Sequence, residues 1–187
     1  MRIKHITLSV ALITLVYASY ADARFIDHPV DSGKWTDKYD RHFKKYSKRY
    51  FGPLFNWHWF KAQAIAESAL NSDAKSHVGA RGIMQIMPGT FKDINKQNPH
   101  FSQLETPKWN IAAGIYYDRT LYRKFNKTAA QDKLYMTFAS YNAGYGRILK
   151  AAKRIKSEEK NWEEIKPLLP KETRGYVKRI RSLMGEN

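Results

Sequence analysis

Residues 65–90, IAESALNSDAKSHVGARGIMQIMPGT, hold one carboxylate, Glu67, near the end of an apolar helical run. A polar turn with Asn71, Ser72, Asp73 and Ser76 follows, then three small residues, Gly79, Ala80 and Gly82. An uncharged segment, Met84-Gln85-Ile86-Met87-Pro88, closes the stretch. A helix-borne acid beside a glycine-lined turn suits the cleavage of a sugar polymer. A glycosidic bond breaks when its leaving oxygen is protonated as the anomeric carbon gains positive charge, and a carboxyl with a raised pKa can supply that proton. Trp57, Phe60 and Ala64 share the helical face of Glu67, so desolvation favours the neutral acid. The negative end of the helix pushes the same way. The same spacing also describes a surface glutamate in an alanine-rich helix, and helix logic alone leaves that reading open.

Glycosidases that hydrolyse usually need a second carboxylate about 5–9.5 Å from the first. Asp73 is the nearest in sequence, but its Asn- and Ser-rich setting equally fits a turn or capping role. Without a second carboxylate, another nucleophile must reach the anomeric carbon. A muramyl sugar carries one, its 6-hydroxyl. One glutamate can then serve as acid and afterwards as base, and a 1,6-anhydro ring closes without water.

These residues need elements to hold them, and the periodicity is helical. Gly52-Pro53 punctuates an entry, and Asn56 is placed to cap a helix running to about residue 69. Pro88 and Pro107 suit first helical positions, opening helices over about 89–96 and up to about 125. Further helices are expected from Thr128 to the break at Asn142-Ala143-Gly144, then over 146–156, 162–168 and 171–184. The fold class is therefore all-α, in one domain over 51–187, with a small β excursion expected within 76–85. Residues 24–50 read as a basic lead-in that becomes helical from about Asp37. There Lys44, Lys45, Lys48 and Arg49 form either a polymer-touching run or a solvated face behind Phe43 and Tyr50.

At 187 residues the chain can bury a real core, and 43% hydrophobic with 14% aromatic residues is not a disordered composition. The formal charge of +16 favours a polyanionic partner: nucleic acid, an anionic membrane face, or an acidic wall polymer. The absence of cysteine excludes disulfides and thiolate zinc sites. His58, His77 and His100 have no metal-binding spacing, so neither metal nor cofactor is expected. Arg2, Lys4 and His5 precede a short apolar run and small residues up to Ala21 and Ala23. This is the pattern of a signal peptide over 1–23, cleaved after Ala21 or Ala23. An exported protein, periplasmic or secreted, is expected, which argues against nucleic acid as the partner.

The motifs also resemble a known family. Glu67-Ser68, Gly79-Ala80, Gly82-Ile83-Met84-Gln85 and Met87-Pro88 are similar, in order and spacing, to the ES, GAxGLMQ and MP elements of the soluble lytic transglycosylases, which are peptidoglycan lyases. Ile83 stands where leucine is more usual. Ala139-Ser140-Tyr141-Asn142-Ala143-Gly144 resembles the AYNAG element with Ser140 as a variation, and Glu172-Thr173-Arg174-Gly175-Tyr176-Val177 resembles ETxxYV. Asn110-Ile111, Gly114 and Tyr117 resemble the intermediate helix of that family. The resemblance covers about 57–177 and implies a lysozyme-like α-domain.

The resemblance also implies roles. Glu67 becomes the single acid and base. Ser76, Gln85 and Met87 line a cleft near the acid and the substrate's acetamido group. Tyr141 hydrogen-bonds or orients Glu67, Asn142 holds the loop or touches sugar, and Glu172 positions the sugar at the cleaved bond. Plainer roles stand beside these: a core tyrosine at Tyr141, a backbone tie at Gln85, and a helix-start charge at Glu172. The implied partner is peptidoglycan glycan, together with an anionic wall or membrane surface; an envelope or secretion-machinery partner stays unidentified. A goose-type lysozyme and an inactive cationic wall-binding protein are the alternatives.

Overall fold

The computed structural model describes residues 29–186, so the expected signal peptide and the start of the lead-in lie outside the described residues. Eight α-helices carry the described residues: α1 (Asp40–Phe51), α2 (His58–Ser68), α3 (Pro88–Gln97), α4 (Pro107–Tyr122), α5 (Ala130–Ala143), α6 (Tyr145–Ala152), α7 (Trp162–Ile165) and α8 (Lys171–Leu183). Among the described residues there is no strand, and none of these helices is long and apolar enough to cross a membrane. The β excursion expected over 76–85 is reduced to isolated antiparallel bridges, Lys75 with Arg81 and Arg81 with Ile86. The turns there follow one another too closely for a ladder to grow.

Helices α2, α4 and α5 are buried on more than one side, which is why their apolar residues show no single stripe. Residues 59–65 of α2 are all buried, including Lys61 and Gln63. Helix α5 lies against α4, α6, α7 and α8, while α2 lies against α1 and α8. Pro88 and Pro107 open their helices at the first turn, where a missing N–H costs nothing. The cap expected at Asn56 falls one residue early: Trp57 is the N-cap of α2 and has no side-chain cap bond, while the Asn56 side-chain oxygen accepts from the His58 N–H at 3.1 Å in a local turn.

Helix α1 joins the same core as the rest. Phe43 and Tyr46 are buried, and Lys61, 2% exposed, reaches from α2 to Asp40 at 2.9 Å. The end of the expected lead-in is thus built into the domain, and Lys44, Lys45, Lys48 and Arg49 lie on the helix's exposed face. The helix expected over 162–168 is instead one short α-helix followed by a 3-10 turn, Lys166–Leu168. Pro167 has no N–H to continue the α pattern.

The segment between α2 and α3 is held by a buried asparagine on α4. Asn110 accepts from the Met84 N–H at 2.7 Å and donates to the carbonyls of Arg81 (2.9 Å) and Leu104 (3.0 Å). Two glycines permit this approach. A Cβ on Gly82, whose φ is 76°, would lie 2.5 Å from Asn110 Nδ2, and one on Gly114 would lie 2.8 Å from Met84 Cε. Met84 itself is fully buried, so it packs as core. Asn110→Ala leaves one N–H and two carbonyls without their partner. It is expected to destabilise the fold by about 2–4 kcal/mol, read by urea unfolding.

Candidate active site

Helix α2 ends abruptly after Ser68. Ala69 and Leu70 take left-handed φ values of 54° and 64°, which L-residues rarely adopt. The Ser68 hydroxyl ties this end to the Ile83 carbonyl at 2.8 Å. Glu67 therefore sits in the last turn, partly buried, where the helix carbonyls disfavour its negative charge. Burial pushes its carboxyl from the ordinary 4.5 up to about 7, against the pull of a hydrogen bond from Tyr176. That bond, Tyr176 Oη to Glu67 Oε1, is 2.5 Å long and joins α8 to α2.

Tyr141 does something else. Its hydroxyl donates to the Met84 carbonyl at 2.7 Å, so the hydroxyl on Glu67 belongs to Tyr176 where Tyr141 was expected. Tyr141 still belongs to the same neighbourhood. Burial first, then the charge of Glu67, raises its hydroxyl's pKa, and its ring meets Tyr117 edge-on at 5.5 Å.

Beneath Glu67 lies a second carboxyl that sequence reading passed over. Gln63 is one helical turn before Glu67 on the same face, and its amide donates to Asp118 Oδ1 at 3.2 Å. Asp118, on α4, is wholly buried. Burial raises its pKa well above the carboxylate range, Gln63 pulls it back, and the charge of Glu67 raises it further. Asp118 is wholly buried and its Oδ1 is held by Gln63, so it meets no solvent from which to activate a water. Asp73, the carboxylate singled out from sequence, is exposed, and so is Asp93, which pairs with Lys96 at 2.8 Å.

The remaining candidates divide by what their side chains do. Ser76 accepts from the Ala80 N–H at 2.9 Å. Gln85, at φ 44°, donates to the carbonyls of Gly82 (2.9 Å) and Ala74 (3.1 Å). Both hold the turn that faces the end of α2. Met87 is 42% exposed just before α3, and Asn142 is partly buried in the last turn of α5. Glu172 is exposed on α8, one turn before Tyr176 on the same face. Among the described residues no group of three His, Cys, Asp or Glu side chains could hold a metal ion.

An all-α domain built around one glutamate of raised pKa at a helix end, its carboxyl hydrogen-bonded by a tyrosine, is the class that this fold and site define. A family model described as the Transglycosylase SLT domain matches residues 44–164, and the chain belongs to that family. It is 28% identical to the membrane-bound lytic murein transglycosylase F of Vibrio cholerae, covering 87% of this chain and 32% of that protein. The protein of the same name from Desulfosudis oleivorans is also 28% identical, over 79% of this chain and 38% of that protein. Among solved structures, the 70 kDa soluble lytic transglycosylase of Escherichia coli superposes with a TM-score of 0.67 at 30% identity, over 80% of this chain and 24% of that one. An inactive variant of the lytic transglycosylase Slt of Pseudomonas aeruginosa gives 0.69 at 27% identity, over 89% and 26%. The chain spans about a third of the length of these curated relatives.

The raised pKa of Glu67 carries a stability cost. The unfolded chain ionises it near 4.5 and the folded chain near 7, so the folded state loses stability as pH rises through that window. Glu67→Gln keeps an acceptor for Tyr176 and removes the charge. It is expected to be more stable than the parent by about 1–3 kcal/mol above pH 7 and about equal to it below pH 4.5, by denaturant unfolding at both pH values.

Proposed function

We propose that this chain is a peptidoglycan lytic transglycosylase that cuts the MurNAc-β-1,4-GlcNAc bond without water. The observation that carries the reading is Glu67, a partly buried carboxyl raised to about 7 at the Glu-Ser element of a Transglycosylase SLT domain. In the first half, the Glu67 O–H gives its proton to the glycosidic oxygen while the C1–O4 bond breaks. In the second, the resulting carboxylate takes the proton from the muramyl 6-hydroxyl while O6 bonds to C1. The products are a new GlcNAc 4-hydroxyl and a 1,6-anhydro-MurNAc end, and Glu67 is protonated again.

Tyr176 is the donor that steadies the carboxylate between the two halves. Ser76 and Gln85 shape the turn beside the acid, with Met87, Asn142 and Glu172 as sugar contacts and Tyr141 fixing the Met84 carbonyl. The names of the relatives, all lytic transglycosylases, favour ring closure over hydrolysis by a goose-type lysozyme. A solved relative bound to bulgecin A is similar over 79% of this chain. The basic surface suits an anionic envelope polymer, and residues 1–23 direct export to the periplasm or beyond.

Digestion of purified sacculi, with products weighed by mass spectrometry, tests the reaction. Anhydro ends, lighter by one water than hydrolysed ends, are expected; reducing ends would overturn it. Glu67→Gln is expected to lose roughly 10²- to 10⁴-fold in rate. Wall clearance by that variant at the parent rate would instead make charge the agent.

The pH profile tests the pairing with Tyr176. The rate is expected to fall as pH rises through about 7, where Glu67 loses its proton. The Tyr176 bond favours the ionised form, so Tyr176→Phe raises that pKa and is expected to move the limb to higher pH, in kcat/KM measured from pH 5 to 9.

A further inference from the structure

Helix α8 has two working sides. Glu172 and Tyr176 face one way, while Arg174, Lys178 and Arg181 lie nearly opposite; with Lys171 and Gly175 on the flank they line a groove of about 560 Å³ against Trp162 and Lys166. One end of this groove is neutralised: Glu163 pairs with Lys166 (3.1 Å), and Arg181 pairs with Glu186 (3.3 Å). The other end is not. Lys171, Arg174 and Lys178 are exposed and have no ion pair among the described residues. Their helical spacing sets these three cations along about 10 Å of one face.

Gly175 is the second observation. It stands inside a helix, where glycine is the poorest former after proline, yet it needs no left-handed backbone. A Cβ added there would meet nothing within 4 Å, so no neighbour excludes a side chain. What the missing side chain does is leave the groove open between Arg174 and Lys178.

We propose that this groove binds phosphate ester groups of a soluble anionic polymer, on the face of α8 turned away from Glu67. Three cations within about 10 Å exceed what a single carboxylate needs. A phosphate offers several acceptor oxygens to the Arg174 fork and its flanking lysines. The groove is concave, so a chain threads it, whereas a flat bilayer reaches only its rims. The site stands apart from the chemistry at Glu67 and does not rest on it.

The test is binding of the full chain to poly(glycerol phosphate) and to phosphatidylglycerol vesicles, by calorimetry at matched ionic strength. Arg174→Gln/Lys178→Gln is expected to weaken polymer binding roughly tenfold or more. The equal charge loss Lys45→Gln/Lys48→Gln on α1 is expected to change it less than about twofold, because exposed charges beyond a screening length act weakly. Gly175→Leu fills the groove without touching a charge and is expected to weaken binding as the first pair does, with thermal unfolding confirming the fold. Equal losses from the two charge pairs would overturn the proposal in favour of bulk attraction. So would polymer binding indifferent to Gly175→Leu, or vesicle binding tighter than polymer binding.

Discussion

A single hydrogen bond, from the Tyr176 hydroxyl to the Glu67 carboxyl, links residues more than a hundred positions apart and joins two helices where they meet. A carboxyl withdrawn from water is costly unless something donates to it, and a tyrosine hydroxyl is a weak donor that leaves the acid protonatable. An arginine in its place would hold the group ionised and remove its use as an acid. The bond forms only because Val177 and Ile180 of α8 and Phe60 and Ile65 of α2 share one apolar core. Core burial thus supplies the stability that a carboxyl with a pKa near 7 subtracts.

The turn beside Glu67 depends on a different kind of restraint. Its backbone groups are satisfied from inside the domain by Asn110 and from within itself by Gln85 and Ser76. Two residues that look like sugar contacts in a motif therefore have architectural bonds in the free chain. These two uses are compatible, because a side chain locked by bonds to the turn presents its remaining surface without further loss of conformational freedom. The left-handed pair Ala69-Leu70 belongs to the same device, since it ends α2 where the acid stands.

Much of the positive charge lies outside this neighbourhood. On α1 it forms a solvated face over a buried aromatic row, and on α8 it gathers on the side away from Tyr176. The proposed attraction to an anionic polymer and the proposed proton transfer at Glu67 thus use different faces, so attraction need not crowd the carboxyl with cations that would hold it ionised.

The sequence by itself determined the helical class and most helix starts, because Pro88, Pro107 and the 3.6-residue spacing act locally. It singled out Glu67 as the candidate acid, because the Glu-Ser and Gly-Ala elements stand together in the chain. Tertiary structure decided which groups touch that acid. Tyr176 lay within a visible motif, but nothing local says which of two tyrosines, on α5 and α8, turns its hydroxyl toward Glu67. Asp118 gave one signal, a lone acid in an apolar helix, yet its burial under Gln63 depends on how α4 meets α2. How α1 joins the core depends on the same thing. Phe43 was legible as a packed residue behind the basic face of α1 and Tyr46 was not; the partner they pack toward, α4, lies some sixty residues further on. Periodicity is a property of neighbours in the chain; a pKa and a hydrogen bond are properties of neighbours in space.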